Sequence, residues 1–276
     1  SGQVDWVARV CEHCLKSNYA PGTVAQALAQ NHPLPDDGAD SVFTDPPYYD
    51  AFAYSHLADF FYFWLRRATP PDAMNTIADE TPKDREIVVY GPGSPGDRAL
   101  QDTDFFHREM TLALAESRRV AKPPSLNAFV FANKTTSGWE SFLRSVVDAG
   151  WVVTASWPID TERPNRQRAL GSAALGSSVH LVCRPRENPD GSLRAEVGEW
   201  REVLGELPQR IHAWMPRLAE EGIVGADSIF ACLGPGLEIF SRYSRVEKAS
   251  GEVVTLGEYL EQVWVAVSKE ALSLLF

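Results

Sequence analysis

Thr44-Asp45-Pro46-Pro47-Tyr48-Tyr49 follows a short β-prone run, Ser41-Val42-Phe43, and precedes a segment dense in aromatic residues. A strand that ends in Asp-Pro-Pro-Tyr leaves a stiff turn. Pro46 and Pro47 have a fixed φ and no N–H, and Pro47 biases Pro46 toward an extended conformation. Their carbonyls therefore have no ladder partners and are available to accept hydrogen bonds from a ligand. Asp45 adds a carboxylate acceptor beside them and Tyr48 adds a flat ring. The set suits a planar ring that bears an exocyclic NH2 group.

Outward from this stretch the chain alternates between strand and helix signals. Upstream, residues 3–17 carry Val4, Val7, Val10, Cys11, Cys14 and Leu15 at helical spacing, and Pro21-Gly22 breaks the run. Residues 23–28 read as a strand, and residues 41–44 as the strand that feeds the turn. Downstream, Tyr54, Leu57, Phe61, Trp64 and Leu65 form a helical stripe with Phe60, Tyr62 and Phe63 on its other sides. A helix that apolar is expected in the core rather than as a base-stacking platform. Residues 69–103 are rich in Pro and Gly and read as a long irregular insertion of the lid or binding-loop kind. Residues 104–121 read as a helix and 128–132 as a buried strand. Ser137 and Glu140 form a capping-box pattern for the next helix, which Gly150 ends. Residues 151–157 and 178–183 are the last strands of an α/β sheet with mainly parallel strands. After the turn-rich Asn188-Pro189-Asp190-Gly191 the character becomes helical, with a Thr255…Glu258 capping box late in the chain. The expected division is an N-terminal helix (1–22), an α/β domain (23–187, insertion 69–103) and a helical C-terminal subdomain (188–276).

The Asp45-Pro46-Pro47-Tyr48 turn after a strand resembles the catalytic motif of the amino-methyltransferases, which methylate adenine N6 or cytosine N4 in nucleic acid. The wider chain is similar to prokaryotic adenine-specific DNA methylase-like proteins that carry a domain of unknown function. The likeness continues through Phe131-Ala132-Asn133-Lys134-Thr135-Thr136-Ser137-Gly138-Trp139-Glu140 and through Ala155-Ser156-Trp157-Pro158-Ile159-Asp160-Thr161-Glu162-Arg163-Pro164. It implies the second half of a Rossmann-like class I methyltransferase sheet, closing with an antiparallel pair of strands. It also implies S-adenosylmethionine as cofactor and DNA as partner. Asp45, Pro46, Pro47 and Tyr48 become the catalytic set, with Asp45 also next to the cofactor. Tyr49 and Phe52 are candidate pocket walls. Lys134 and Arg163 follow strands at the same sheet edge and are candidate phosphate contacts, with solvated surface charge as the equal alternative.

Two features depart from the family. Its glycine-rich cofactor loop has no match before Asp45. The later Leu233-Gly234-Pro235-Gly236 lacks the preceding acidic strand end and is better explained as a turn joining helices. The strand before the motif strand also lacks an acidic end, reading Ala27-Leu28-Ala29-Gln30-Asn31. The chain thus looks like the catalytic half of the fold, with the loop supplied by an upstream half or a second chain. A non-catalytic partner subunit that keeps the fold is the alternative. RNA, cytosine or a protein amide remain open as substrates.

Composition is compatible with this reading. The chain has 276 residues, an apolar fraction of 44% and a charged fraction of 23%, as in an ordinary globular protein. It has no long apolar run and no leader-like start, so a cytoplasmic protein is expected. The formal net charge of −11 works against unaided grip on DNA. A local basic face from Arg66, Arg67, Arg118, Arg119, Lys122, Lys134, Arg163, Arg166 and Arg168 could offset it. The four cysteines suggest no disulfide framework. Cys11 and Cys14 have metal-ligand spacing but no second pair, so two thiols on a helix is the reading and no metal is expected.

Overall fold

Residues 41–44 do form the strand that delivers the turn, but only Phe43–Thr44 pair in regular register (β1). The structure, a computed structural model, describes residues 2–20, 22, 25, 27–50, 52–69, 79–90, 101–133, 135–160, 177–223 and 226–273. Among these the helices are α1 (Gly2–Lys16), α2 (Tyr54–Ala68), α3 (Thr103–Val120), α4 (Thr136–Asp148), α5 (Trp200–Glu220), α6 (Ala226–Ser241) and α7 (Leu256–Ser273). The further strands are β2 (Asn127–Phe131), β3 (Trp151–Asp160), β4 (Ser177–Pro185), β5 (Val197–Glu199) and β6 (Arg245–Glu247).

The main sheet has the order β1-β2-β4-β3. β1 runs parallel to β2, with Phe43 opposite Ala128 and Thr44 opposite Phe129. β4 is inserted between β2 and β3 and runs antiparallel to both. The fold is therefore α/β, with helices packed on a mixed four-stranded sheet whose closing antiparallel pair is present. The expectation of mainly parallel strands holds: β2 and β3 are both antiparallel to β4, so β1, β2 and β3 run in one direction and, among the described strands of this sheet, β4 alone is reversed. Inserting the last strand beside the strand it follows reverses its direction, and no helical crossover is then needed. The strand expected over 23–28 lies partly outside the described residues. Its end is a tight turn closed by Leu28 and Asn31.

Core packing follows from aromatic side chains on β2 and β3. Phe129 meets Trp151 edge-on at 5.0 Å, and Phe131 stacks on Phe142 of α4 at 4.2 Å. Trp151 donates its Nε1–H to the Leu114 carbonyl of α3 at 2.9 Å. α4 is capped by Thr135, whose side chain accepts from the Gly138 N–H, two residues earlier than the Ser137 start expected. Gly150 ends it as expected, with φ +86°, a conformation that suits glycine. The Thr255–Glu258 box also forms, with reciprocal bonds of 2.9 and 3.2 Å.

α6 packs along β3, and it absorbs Leu233-Gly234-Pro235-Gly236 into its interior. The stretch is neither a cofactor loop nor a turn between helices. Pro235 has no N–H, so the carbonyl of Ala231 loses its helical partner. The Ser156 hydroxyl of β3 lies 3.0 Å from that carbonyl and 2.8 Å from that of Phe230, and it accepts the Gly234 N–H at 2.7 Å. A tertiary contact thus repairs a helix that local sequence would break. α5 accommodates Pro208 and Pro216 internally as well, and β5 and β6, absent from the sequence reading, form a short parallel pair.

Two helices are not covered. α1 has no buried residue, and its Val4, Trp6, Val7, Val10 and Leu15 are all exposed. Of α2, only Ser55 and Tyr62 are buried, whereas Phe60 is 66% and Trp64 58% exposed. The expectation that Phe60–Trp64 belongs to the core is overturned for Phe60, Phe61, Phe63 and Trp64 and holds for Tyr62. An all-apolar helix needs cover on every side, and here one side alone meets protein among the described residues.

Residues 31–39 are pinned to α3 by charge. Glu116 accepts from Arg119 at 2.7 and 2.9 Å and from the His32 N–H at 2.7 Å. The Arg119 hydrogen bonds, helped by that of His32, hold the Glu116 carboxyl down at about 2, against an ordinary 4.5. A carboxyl whose folded pKa is depressed stabilises above its unfolded pKa and loses that contribution as pH falls toward the folded value. Thermal midpoints are therefore expected to drop between pH 4.5 and about 2 through this group, and Glu116→Gln is expected to remove that part of the pH dependence.

Candidate active site

Asp45 stands at the carboxyl end of β1, where open α/β sheets hold their ligands. It is exposed and, among the described residues, makes no hydrogen bond or ion pair. Beside it is an open hollow of about 500 Å³ lined by Asp45, Pro46, Pro47, Tyr54 and Glu86. The described lining residues are two carboxylic acids, one tyrosine and two prolines, with no cationic residue among them.

The turn itself is held from below. The Tyr49 N–H donates to the Pro47 carbonyl at 3.0 Å, closing a tight loop over Tyr48. The Pro47 carbonyl is thus used internally. No hydrogen bond reaches the Pro46 carbonyl from the described residues. Tyr49 sits in the left-handed region at φ 55°, a conformation that costs about 1 kcal/mol for a residue with a side chain. Three contacts hold it there. Its hydroxyl bonds the Thr103 Oγ1 at 2.7 Å, its carbonyl accepts from the Val89 N–H at 3.0 Å, and its ring packs on Phe106 at 5.1 Å. Non-glycine residues held this way cluster at functional sites.

The other expected residues fall in different places. Tyr48 is half-buried and turns its ring edge-on to Phe131 at 5.5 Å, away from the hollow's lining. Tyr49 is 8% exposed and packs into the core rather than toward the hollow. Phe52 is exposed and lies beside Tyr54 at 5.7 Å without lining the hollow. Lys134 and Arg163 lie outside the described residues, as do Arg166 and Arg168. The rest of the suggested basic face is largely neutralised. Arg66 pairs with Asp79 at 2.9 Å, Arg118 with Glu187, Arg119 with Asp36 and Glu116, and Lys122 with Asp40. Arg67 lies over the Phe63 ring.

Three positions around the turn were not singled out from the sequence. Glu86 belongs to the stretch expected as a free insertion, yet residues 79–90 are docked. Val88 is 2% exposed, and Lys83 binds Asp59 at 2.7 Å. That ammonium and two hydrogen bonds from Thr81 hold the Asp59 carboxyl below its ordinary range. Tyr54 read only as part of a core stripe. Asn133, inside a quoted block but given no role, bridges the ends of β1 and β2. It accepts from the Thr135 N–H and hydroxyl at 2.8 Å each, and its amide faces the Tyr48 carbonyl at 3.5 Å and Asp50 at 3.4 Å. Asn133→Ala is expected to cost about 1–2 kcal/mol in chemical denaturation, because a buried amide that ties together Thr135, Tyr48 and Asp50 is lost. The signal for Asn133 was a polar residue directly after an apolar strand; periodicity carries none for Glu86.

The thiols of Cys11 and Cys14 are exposed on α1, and among the described residues no three His, Cys, Asp or Glu side chains gather as a metal site would require. No described helix is long and apolar enough to cross a membrane. No family model matches the chain, and no curated protein matches it. It is similar to a solved structure from Thermus thermophilus provisionally described as a DNA modification methylase, complexed with S-adenosyl-L-methionine. The identity is 15% and the TM-score 0.31, over 87% of this chain and 90% of that chain. A second structure of that protein gives 13% identity and a TM-score of 0.30 over 86% and 89%. Likenesses this distant assign no role to any residue.

Proposed function

We propose that the chain is a methyltransferase acting on the exocyclic amine of a nucleobase, adenine N6 in DNA, with S-adenosylmethionine as methyl donor. The observation that supports the reading is the open hollow at the end of β1, lined by Asp45, Pro46 and Pro47, where neither the Asp45 carboxylate nor the Pro46 carbonyl is hydrogen-bonded to the described residues. The amine nitrogen is a poor nucleophile because its lone pair is delocalised into the ring. Its two N–H groups would donate to Asp45 and to the Pro46 carbonyl. That geometry favours a tetrahedral nitrogen with its lone pair free to form the new N–C bond. Preorganised acceptors and placement supply the rate. The donor set of the hollow fits the cofactor too, since acidic and carbonyl oxygens accommodate a cation. S-adenosylmethionine would supply an electrophilic methyl group on a sulfonium sulfur, the S–C bond breaking as the N–C bond forms and the electron pair leaving with the neutral thioether. The proton released from the nitrogen passes to Asp45 or water. The base must leave its stack to enter the hollow.

The glycine-rich loop that the fold family uses for its cofactor is assigned in this reading to an upstream half or a second chain. The edge of β1 and the aromatic face of α2, both uncovered among the described residues, are the surfaces that support such a complement. The same surfaces, with the neutralised cations, favour the second reading, a non-catalytic subunit that binds a protein partner.

The test is transfer of labelled methyl from S-adenosylmethionine to DNA oligonucleotides, by the chain alone and with the upstream-encoded segment added. Label appearing as N6-methyladenine supports the reading. Label absent from both arms, with complex formation intact, leaves the subunit reading.

A further inference from the structure

The hollow contains one group that the proposed chemistry does not use: the Glu86 carboxylate. We infer that Glu86 is the group that selects the charged methyl donor over its neutral product, by placing a fixed negative charge where a sulfonium must come. The inference rests on the methyltransferase reading of the same hollow.

Glu86 is held at both ends. Its carbonyl accepts from the Gln101 side chain at 2.9 Å, and Gln101 is itself buried. Its carboxylate accepts from the Ser55 N–H at 3.2 and 3.3 Å and from the Ser55 hydroxyl at 2.5 Å. The side chain is therefore oriented before any ligand arrives. These bonds also serve α2, whose N-terminal residue Ala53 offers no side-chain cap and whose first turn has no acid. Capping from a distant segment is the purely structural role for Glu86, and the test must separate the two.

Electrostatics favours the further role. Among the described residues no cation lines the hollow to neutralise Glu86. Lys83, three residues away, is committed to Asp59 at 2.7 Å and Glu80 at 2.9 Å. The methyl donor's sulfur has to reach the amine that Asp45 holds, and so enters the hollow that Glu86 lines. A sulfonium in that hollow is attracted by the second carboxylate; a thioether there is not. Phosphate would be repelled, so the nucleic-acid backbone is held elsewhere.

The test is isothermal calorimetry with S-adenosylmethionine and with S-adenosylhomocysteine, which shares every other group but carries a neutral sulfur. It is run on the chain as it is and, where that binds neither, with the upstream-encoded segment present. Glu86→Gln keeps an acceptor for Ser55 and removes the charge. It is expected to weaken S-adenosylmethionine about tenfold and S-adenosylhomocysteine less than about twofold, the size of one partly screened charge pair. Asp84→Asn, an exposed carboxylate two residues away and outside the lining, is expected to change neither. Equal weakening of both ligands by Glu86→Gln, no weakening of either, or a matching loss in Asp84→Asn would overturn the inference and leave the methyltransferase reading standing. Failure of the wild type to bind either ligand in both arms overturns the two together.

Discussion

Gly234→Ala is expected to destroy the packing of α6 on β3. A Cβ at this position would lie 2.2 Å from the Ala155 carbonyl carbon and 2.3 Å from the Ser156 nitrogen. Both are backbone atoms of a strand held to β4 by its ladder, so neither can move aside as a flexible side chain would. The helix has to lift instead. Lifting breaks the Gly234 N–H bond to Ser156, which measures 2.7 Å, and strips Ser156 from the carbonyls of Phe230 and Ala231. It also uncovers Ala231, Leu233 and Leu237, which are at most 1% exposed. Overpacking and newly unsatisfied buried groups together put the loss at about 4 kcal/mol or more, a large part of a typical domain's stability of about 5–15 kcal/mol. Urea denaturation followed by circular dichroism checks it. Gly205→Ala is the control: it sits on the exposed side of α5 with nothing within 4 Å of the added carbon. There the same substitution is expected to stabilise, by about 0.5–1 kcal/mol.

Asp45→Ala carries the largest expected effect on activity. Asp45 is exposed and makes no bond to the described residues, so its removal is expected to shift stability by less than about 0.5 kcal/mol. Loss of transfer then cannot be attributed to unfolding. In the proposed reaction it removes one of two preorganised acceptors for the amine, an effect of about 10²–10³ in kcat by comparison with other preorganised sites. Asp45→Asn retains one acceptor oxygen and is expected to lose less. Single-turnover transfer of labelled methyl to an oligonucleotide measures both, with cofactor affinity followed separately because Asp45 and Glu86 share the hollow. An Asp45→Ala variant that transfers at the wild-type rate would remove the catalytic role assigned to the turn.

Much of the framework is legible in local pattern. The apolar runs of β2, β3 and β4, the stripe of α3, the glycine end of α4 and the Thr255–Glu258 box all lie where periodicity and capping chemistry put them. These signals are short-range, and the forces behind them act within a turn or two of the chain. The readings that changed concern contacts between distant segments. Leu233-Gly234-Pro235-Gly236 has the composition of a turn and becomes helix because Ser156, far away in the chain, satisfies the groups that Pro235 leaves open. Phe60, Phe61, Phe63 and Trp64 have the composition of a core and lie exposed, because hydrophobicity reports that a face needs cover and not that cover is present.

The site divides along the same line. The chemistry of the turn is written in four consecutive residues: two prolines remove the donors that would engage their neighbours, and an aspartate stands next to them. Local sequence was therefore enough to propose Asp45 and the Pro46 carbonyl as acceptors. Which other groups stand around them was decided by packing. Tyr49 is drawn into the core by Phe106 and Thr103, and Glu86 is brought to the hollow by a strap bound to α2 through Ser55, Asp59 and Thr81. Neighbours in sequence share a backbone geometry that their own side chains dictate; neighbours in space are chosen by long-range burial and hydrogen bonding, which no window of sequence contains.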